Sequence, residues 1–422
     1  MDANPLMNVE RPPLAKVVAQ HAEEAAFLWV LRDGASRRAD HGLTQLARVD
    51  DRVDAHLDGL RVAGDAGWSA CEEGLAWNEA GEVFAAGYLA FSSGDPERIE
   101  RVMEIAGAEA GLTRAFASAL GWLEADQALP RIRSLLGDGR PLARRLGIAA
   151  AAIHRWHPGA ELARCMAADD PSVRARAFRA AGELGDKQAV QDLLMGLLDP
   201  DESCVFAAAW SGALLGLPAS LAVLEGIAGS GSEHSDEAMM LAMRRIDLAS
   251  CLACHARLAA DPGRVRSAIR AAGIIGEVSL VPWLIPLMEQ LPLARLAGES
   301  FTTITGADLA LLDLERERPA DHDAGPGDDP AEDDVAMDPD EGLPWPDPVS
   351  VRHWWDENRS RFQGGTRHLL GVPITDDGLK IALREGRQPQ RAAAALEIAL
   401  RDPGQPLFNV KAPGFRQKRL LG

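Results

Sequence analysis

Tyrosine is almost missing from this chain. Tyr88 stands alone, and aromatic residues make up only 5% of the 422 positions. Strand-rich cores lean on aromatic and β-branched side chains; here alanine takes their place, which points to helix. Base is also short. Lys and Arg number 44 against 63 Asp and Glu, a net charge of −19. That balance excludes nonspecific binding to DNA, RNA or anionic lipid, because such affinity comes from Lys and Arg. The five cysteines (Cys71, Cys165, Cys204, Cys251, Cys254) are odd in number and sparse, which suits reduced thiols in a cytoplasmic protein. The opening MDANPLMNVERPPLAK has acids and prolines but no apolar core, so no secretory signal is expected. No window approaches a membrane-spanning run of uncharged apolar residues. HExxH, GxSxG, a Walker loop and a strand-linked GxGxxG are all absent, as is any His-Glu dipeptide. The expectation is a cytoplasmic chain with no catalytic residue, metal or cofactor.

What the chain has in quantity is hydrophobic residue, 47% of the total, arranged with a period. Pro141, Pro171, Pro200, Pro262 and Pro292 are separated by 30, 29, 62 and 30 residues, and 62 is two periods. The clearest unit is PSVRARAFRAAGELGDKQAVQDLLMGLLD from Pro171 to Asp199. Val173, Ala177 and Ala180–Ala181 share one helical face, Gly185-Asp186 ends that helix, and Val190, Leu193, Leu194, Leu197 and Leu198 form the stripe of a second. Similar phrases begin at Gly81 and Gly111 and, in degenerate form, near Gly231. The expected fold is all-α: an α-solenoid of about eight helix pairs over residues 81–318, each pair burying its apolar face against its neighbours.

The flanks differ in character. Residues 1–80 read as an N-terminal helical cap, with helices over Leu14–Leu31 and Leu43–Val62 and a shorter one carrying Trp68 and Trp77. Residues 319–348 hold eleven acids and no Lys or Arg, and read as a flexible, disordered linker. Residues 349–422 read as a C-terminal helical cap with a basic tail; 13 basic against 7 acidic residues give it +6, while the first 318 residues carry −14. The tail is expected to pack back on the acidic solenoid. A sharper alternative makes the acidic stretch a decoy that occupies a basic partner site until displaced.

Cys251-Leu-Ala-Cys254-His255 matches the string of a c-type haem attachment site. Its position in the second helix of the sixth unit, in a chain without an export signal, makes packing the expected role; zinc would need a further ligand, and His234 is the nearest. His154 and His157 flank Trp156 before Pro158-Gly159, the setting of a turn-capping pair. Two segments look unlike packing filler. Gly298-Glu299-Ser300-Phe-Thr-Thr-Ile-Thr-Gly306 interrupts the helical pattern with hydroxyls. Trp354-Trp355-Asp-Glu-Asn-Arg359-Ser-Arg361-Phe362 places tandem Trp beside Arg, the composition of a binding hot spot, and Gln388-Pro-Gln-Arg391 follows. The tryptophans either anchor the C-terminal cap on the last repeat or, with Arg359, Arg361, Glu299, Ser300 and Arg391, contact a partner.

The phrase VRxxAxxALGxLGD resembles the short HEAT-like repeats also found in phycobilin lyases. More widely, His21-Ala-Glu-Glu-Ala-Ala-Phe-Leu-Trp29, Ala55–Gly64, Gly298-Glu-Ser-Phe301, Gln388-Pro-Gln-Arg-Ala-Ala-Ala394, Pro406-Leu-Phe408 and Ala412-Pro-Gly-Phe-Arg-Gln417 resemble a family of uncharacterised proteobacterial HEAT-repeat proteins. Its members resemble accessory components encoded beside type VI secretion cargo and spike genes. The resemblance implies a protein partner (a secretion effector, spike or loading factor) and supplies no catalytic residues. The leading expectation is a non-enzymatic protein-binding scaffold, an adaptor or chaperone-like factor for effector or spike loading. A toxin-neutralising immunity protein and a lyase-like enzyme holding a tetrapyrrole are the alternatives. DNA-lesion recognition, as in HEAT-like glycosylases, conflicts with the −14 of the first 318 residues.

Overall fold

Proline and aspartate mark where helices begin. Pro96, Pro141, Pro171, Pro218 and Pro348 each sit in a first turn, where a missing N–H has no intrahelical partner to lose. Asp95, Asp170 and Asp347 precede three of them and accept hydrogen bonds from the free N–H groups of that turn. The resulting structure, a computed structural model, describes residues 13–319, 338 and 340–422.

Three helices come first: α1 (Ala15–Ala35), α2 (Leu43–Val62) and α3 (Asp65–Gly74). Pairs follow: α4 (Ala80–Ser93) with α5 (Pro96–Ala106), α6 (Ala110–Trp122) with α7 (Ala125–Leu136), and α8 (Pro141–Ile153) with α9 (Ala160–Met166). Next are α10 (Pro171–Leu184) with α11 (Val190–Gly196), and α12 (Glu202–Leu214) with α13 (Pro218–Ser230). Then come α14 (Ser235–Arg245) with α15 (Leu248–Ala259), and α16 (Val265–Ile275) with α17 (Val281–Leu287). The chain continues through α18 (Leu291–Thr305), α19 (Pro348–Asn358), a hairpin of β1 (His368–Leu369) and β2 (Val372–Pro373), α20 (Asp376–Glu385), α21 (Gln388–Arg401) and α22 (Gly414–Leu421). This is the all-α solenoid that the period implies.

The chain forms two units. The first comprises Met1–Gly34, Leu46–His154 and Ala412–Phe415; the second comprises Ala35–Gln45, Arg155–Lys411 and Arg416–Gly422. The division does not fall at residue 80, because the N-terminal helices share a core with the first repeats. Trp29 of α1 stacks on Phe84 of α4 at 4.9 Å, and Phe84 meets Trp122 of α6 edge-on at 5.4 Å. Beside them Arg32 and Asp50 form a buried ion pair at 2.7 Å. Asp50 also accepts from the Gly414 N–H at 2.5 Å, and Arg32 donates to the Ala412 carbonyl at 2.9 Å, so a piece of the C-terminal region is part of this unit.

In the second unit α19 fills the place of a second helix for the eighth pair. Trp354 meets Phe301 of α18 edge-on at 5.6 Å, and Trp355 is buried in the same core as Leu284, Phe301 and Ile304. Residues 319–348 therefore stand as an insertion within a repeat rather than a link to a separate cap. Its residues 320–337 and 339 lie outside the described residues, but 340–348 are packed: Trp345 is buried, its carbonyl accepts from Arg316 N–H, and Asp347 N–H donates to Leu314, both at 2.8 Å.

Beyond α19 the chain runs back across the ends of the first helices. His368 N–H donates to Gly276 at 2.8 Å, Leu370 to Thr303 at 2.8 Å, Gly371 to Ile304 at 3.0 Å and Leu407 to Glu183 at 3.0 Å. The Arg367 guanidinium donates to the Ile274 and Ile275 carbonyls at 3.2 Å. The helix-terminal carbonyls that would otherwise lack partners are satisfied in this way. Gly276 and Gly306 hold φ of +70° and +72°, and a Cβ at either would strike the backbone of the crossing strand. The basic tail thus packs on the repeats, as expected, along their ends and not as a terminal stack.

Candidate functional site

The residues singled out in the sequence do not converge. Glu299 and Ser300 lie on α18, which runs unbroken to Thr305, so the GESFTTITG segment is helix rather than an interruption. Ser300 turns its hydroxyl into α16, donating to the Ile269 carbonyl at 2.8 Å. The hydroxyls that suggested a break are absorbed by helix backbone; Thr305 likewise donates to Phe301 at 2.8 Å. Trp355 is core and Trp354 half-buried against Phe301, while Arg359 and Arg361 are exposed on the turn that follows. Arg391 lies among α20–α22, fully buried, donating to the Leu383 carbonyl at 2.8 Å, Gln388 at 2.5 Å and Gln417 at 2.6 Å. Ser300, Trp355 and Arg391 thus lie in the core and not on an open face. Glu299 is half-buried, and burial pushes its carboxyl up to about 7 despite the Thr303 hydrogen bond and the Arg387 charge.

The structure instead brings together arginines on the first helices of the second unit. Arg179 of α10 lies 3.5 Å over the ring of Trp210 on α12 and pairs at 2.7 Å with Glu237 on α14. The side chain thus spans from one first helix to the next but one, over the ring of the middle helix. Further along, Arg270 of α16 pairs with Asp236 of α14 at 2.9 Å. Arg176 bonds Glu183 at 2.7 Å; burial would raise the Glu183 carboxyl, but Arg176, Arg179 and Arg155 outweigh it and hold it below the usual range. Arg266 and Arg295 complete the row, both engaged by acids of the insertion. A signal for this row was present in the sequence: Arg179 and Arg270 stand 91 residues apart, three repeat periods.

The first unit has a bridge of the same kind in other chemistry. Asp54 of α2 accepts from the Trp122 indole N–H at 2.5 Å. Burial pushes the Asp54 carboxyl up to about 6 against that hydrogen bond, with Asp50, Asp58 and Asp51 adding to the rise. Tyr88 of α4 feels the same acids; burial and the Asp54 and Asp58 charges raise its phenol.

The cysteine–histidine string behaves as packing. Cys251 donates to the Met243 carbonyl at 3.2 Å, and burial pushes its thiol up to about 11. His255 is buried edge-on to Trp283 at 4.5 Å. His234 stacks on Phe206 at 4.4 Å. His154 caps α8 beside the Leu120 carbonyl at 3.1 Å, and His157 accepts from Gly159 N–H at 3.0 Å, both turn-capping roles. Among the described residues no group of His, Cys, Asp and Glu is arranged to hold a metal ion, and no helix is long and apolar enough to cross a membrane.

Residues 160–244 match the family model for HEAT repeats, the stretch from α9 through α14 that contains Arg176, Arg179 and Trp210. No curated protein matches the chain. HEAT repeats commonly act as protein-binding scaffolds, and the matched stretch also holds Asp236 and Glu237, which pair with Arg270 and Arg179.

Proposed function

We propose that the chain is a non-enzymatic scaffold that binds a protein partner on the inner face of the second unit's first helices. The observation that carries this reading is the reach of Arg179 over the buried Trp210 ring to Glu237, which marks a charged surface within the stretch that matches HEAT repeats. Arg is among the side chains that anchor interfaces. The half-buried positions along the row remain open to a ligand, while the core arginine Arg391 and the tandem tryptophans serve the fold.

The partner class follows from the resemblance of the flanking phrases to proteobacterial HEAT-repeat proteins associated with type VI secretion. On that basis the scaffold acts in the cytoplasm as an adaptor or chaperone-like factor for loading an effector or spike. Affinity capture of the tagged chain from its native host, with partners identified by mass spectrometry, tests both levels. Near-stoichiometric recovery of an effector, spike or loading protein, reduced in an Arg179→Ala/Arg270→Ala variant, is the expected result. Recovery of a toxin whose activity the chain blocks would replace the adaptor role with an immunity role. A chain that carries a pigment and no protein would overturn the scaffold reading.

A further inference from the structure

Arg266 and Arg270 on α16 and Arg295 on α18 stand at one end of the row, yet their acidic partners come from different parts of the chain. Arg270 uses Asp236 of the adjacent α14, a contact between repeats. Arg266 and Arg295 use the insertion. Arg266 donates to both carboxylate oxygens of Asp340 at 2.6 and 3.0 Å and to the Pro292 carbonyl at 2.6 Å. Arg295 donates to the Asp338 carboxylate and, at 3.0 Å, to the Asp340 carbonyl, and its guanidinium lies 4.6 Å over the Trp345 ring. Two planar forks on neighbouring helices, one of them resting on an indole, suit a pair of carboxylates two residues apart at a turn.

The eighth repeat does not need these acids for its packing. α18 and α19 meet through Phe301 and Trp354, Trp355 fills the core, and Asp347 caps α19 on its own. Asp338 and Asp340 touch arginine heads on the face assigned above to the partner, and they end a stretch with eleven acids and no base. We infer that Arg266 and Arg295 form a receptor for an acidic peptide segment of the partner, with Asp338 and Asp340 as its occupant in cis. The inference rests on the scaffold reading for the identity of the face. A tethered occupant competes at an effective concentration on the order of millimolar, so a free acidic segment gains entry when the cis acids are neutralised or outnumbered.

The test uses the full chain and a fluorescein-labelled peptide copying Asp338–Asp347, followed by anisotropy at low ionic strength. The Asp338→Asn/Asp340→Asn variant should bind the peptide about tenfold or more tightly than the wild type, with the gain fading as salt rises. Adding Arg266→Gln/Arg295→Gln should abolish it. A folded Asn variant that binds no better than wild type overturns the inference, as does a gain that survives loss of the arginines. Should the double variant not fold, Asp338→Asn alone, at a side chain 18% exposed, should show a smaller gain of the same dependence. If neither variant folds, the acids belong to the fold and the inference fails. Peptide binding without partner capture, or capture without peptide binding, separates this inference from the scaffold reading.

Discussion

The two units build one kind of bridge from opposite chemistry. In the first, Asp54 on α2 reaches Trp122 on α6; in the second, Arg179 on α10 reaches Glu237 on α14 over Trp210. Each joins helices from different pairs, and each sets an aromatic ring beside a charge. The carboxylate of the first unit has three further aspartates near it, whereas the guanidinium of the second belongs to a row of arginines. The charge at each bridge therefore comes from a few side chains placed on the helices.

Substitution at the anchors of each unit should separate them most. Asp50→Ala leaves the Arg32 charge buried and unpaired in the first unit, a loss of about 3–5 kcal/mol. Hydrogen exchange should show α1, α2 and α6 deprotected while α16 and α18 keep their protection. The second unit's counterpart is Arg391→Ala, which strands three acceptors among α20–α22 and should cost about 3 kcal/mol in denaturant unfolding. Gly276→Ala tests the crossing strand. Its left-handed backbone and the close His368 carbonyl predict a loss of about 1–3 kcal/mol, with exposure of β1 to proteolysis.

Acid should move the two units in opposite directions. Asp54 holds its proton more tightly folded than unfolded, so its contribution to stability is largest at low pH and falls as pH rises from about 4 to about 6. Glu183 is held below the usual carboxylate range, so its contribution is present above that range and is lost as pH falls through it. Hydrogen exchange corrected for intrinsic rates, compared between about pH 4 and about pH 7.5, should show α2 and α6 gaining protection relative to α10 on acidification; Asp54→Asn should remove the first half of that contrast. The smallest effect is expected for Arg179→Ala. Half-exposed ion pairs and one cation–π contact are worth about 1 kcal/mol together, so stability should change little while partner capture falls.

Much of the architecture was legible without coordinates. The thirty-residue proline period located α8, α10, α16 and α18, and Gly185 marked the end of α10. Local rules suffice there, since a helix begins and ends on residues close in sequence. The same rules misread Gly298–Gly306, where hydroxyls that weaken an isolated helix find backbone partners within it or in α16. Arg391 and Trp355 carried hot-spot composition, yet composition is blind to whether a side chain's partners lie inside or outside the molecule.

The sequence by itself determined that this protein is an array of helix pairs, because period, caps and binary pattern act over a few turns. Only the tertiary structure decided which charges face one another. Asp50 meets Gly414, Arg367 meets Glu397, and Asp340 meets Arg266 across 364, 30 and 74 positions of chain. Those pairings follow from where the crossing strand and the insertion settle. An ion pair is selected by distance in space after the helices have packed, and spacing along the chain does not encode it.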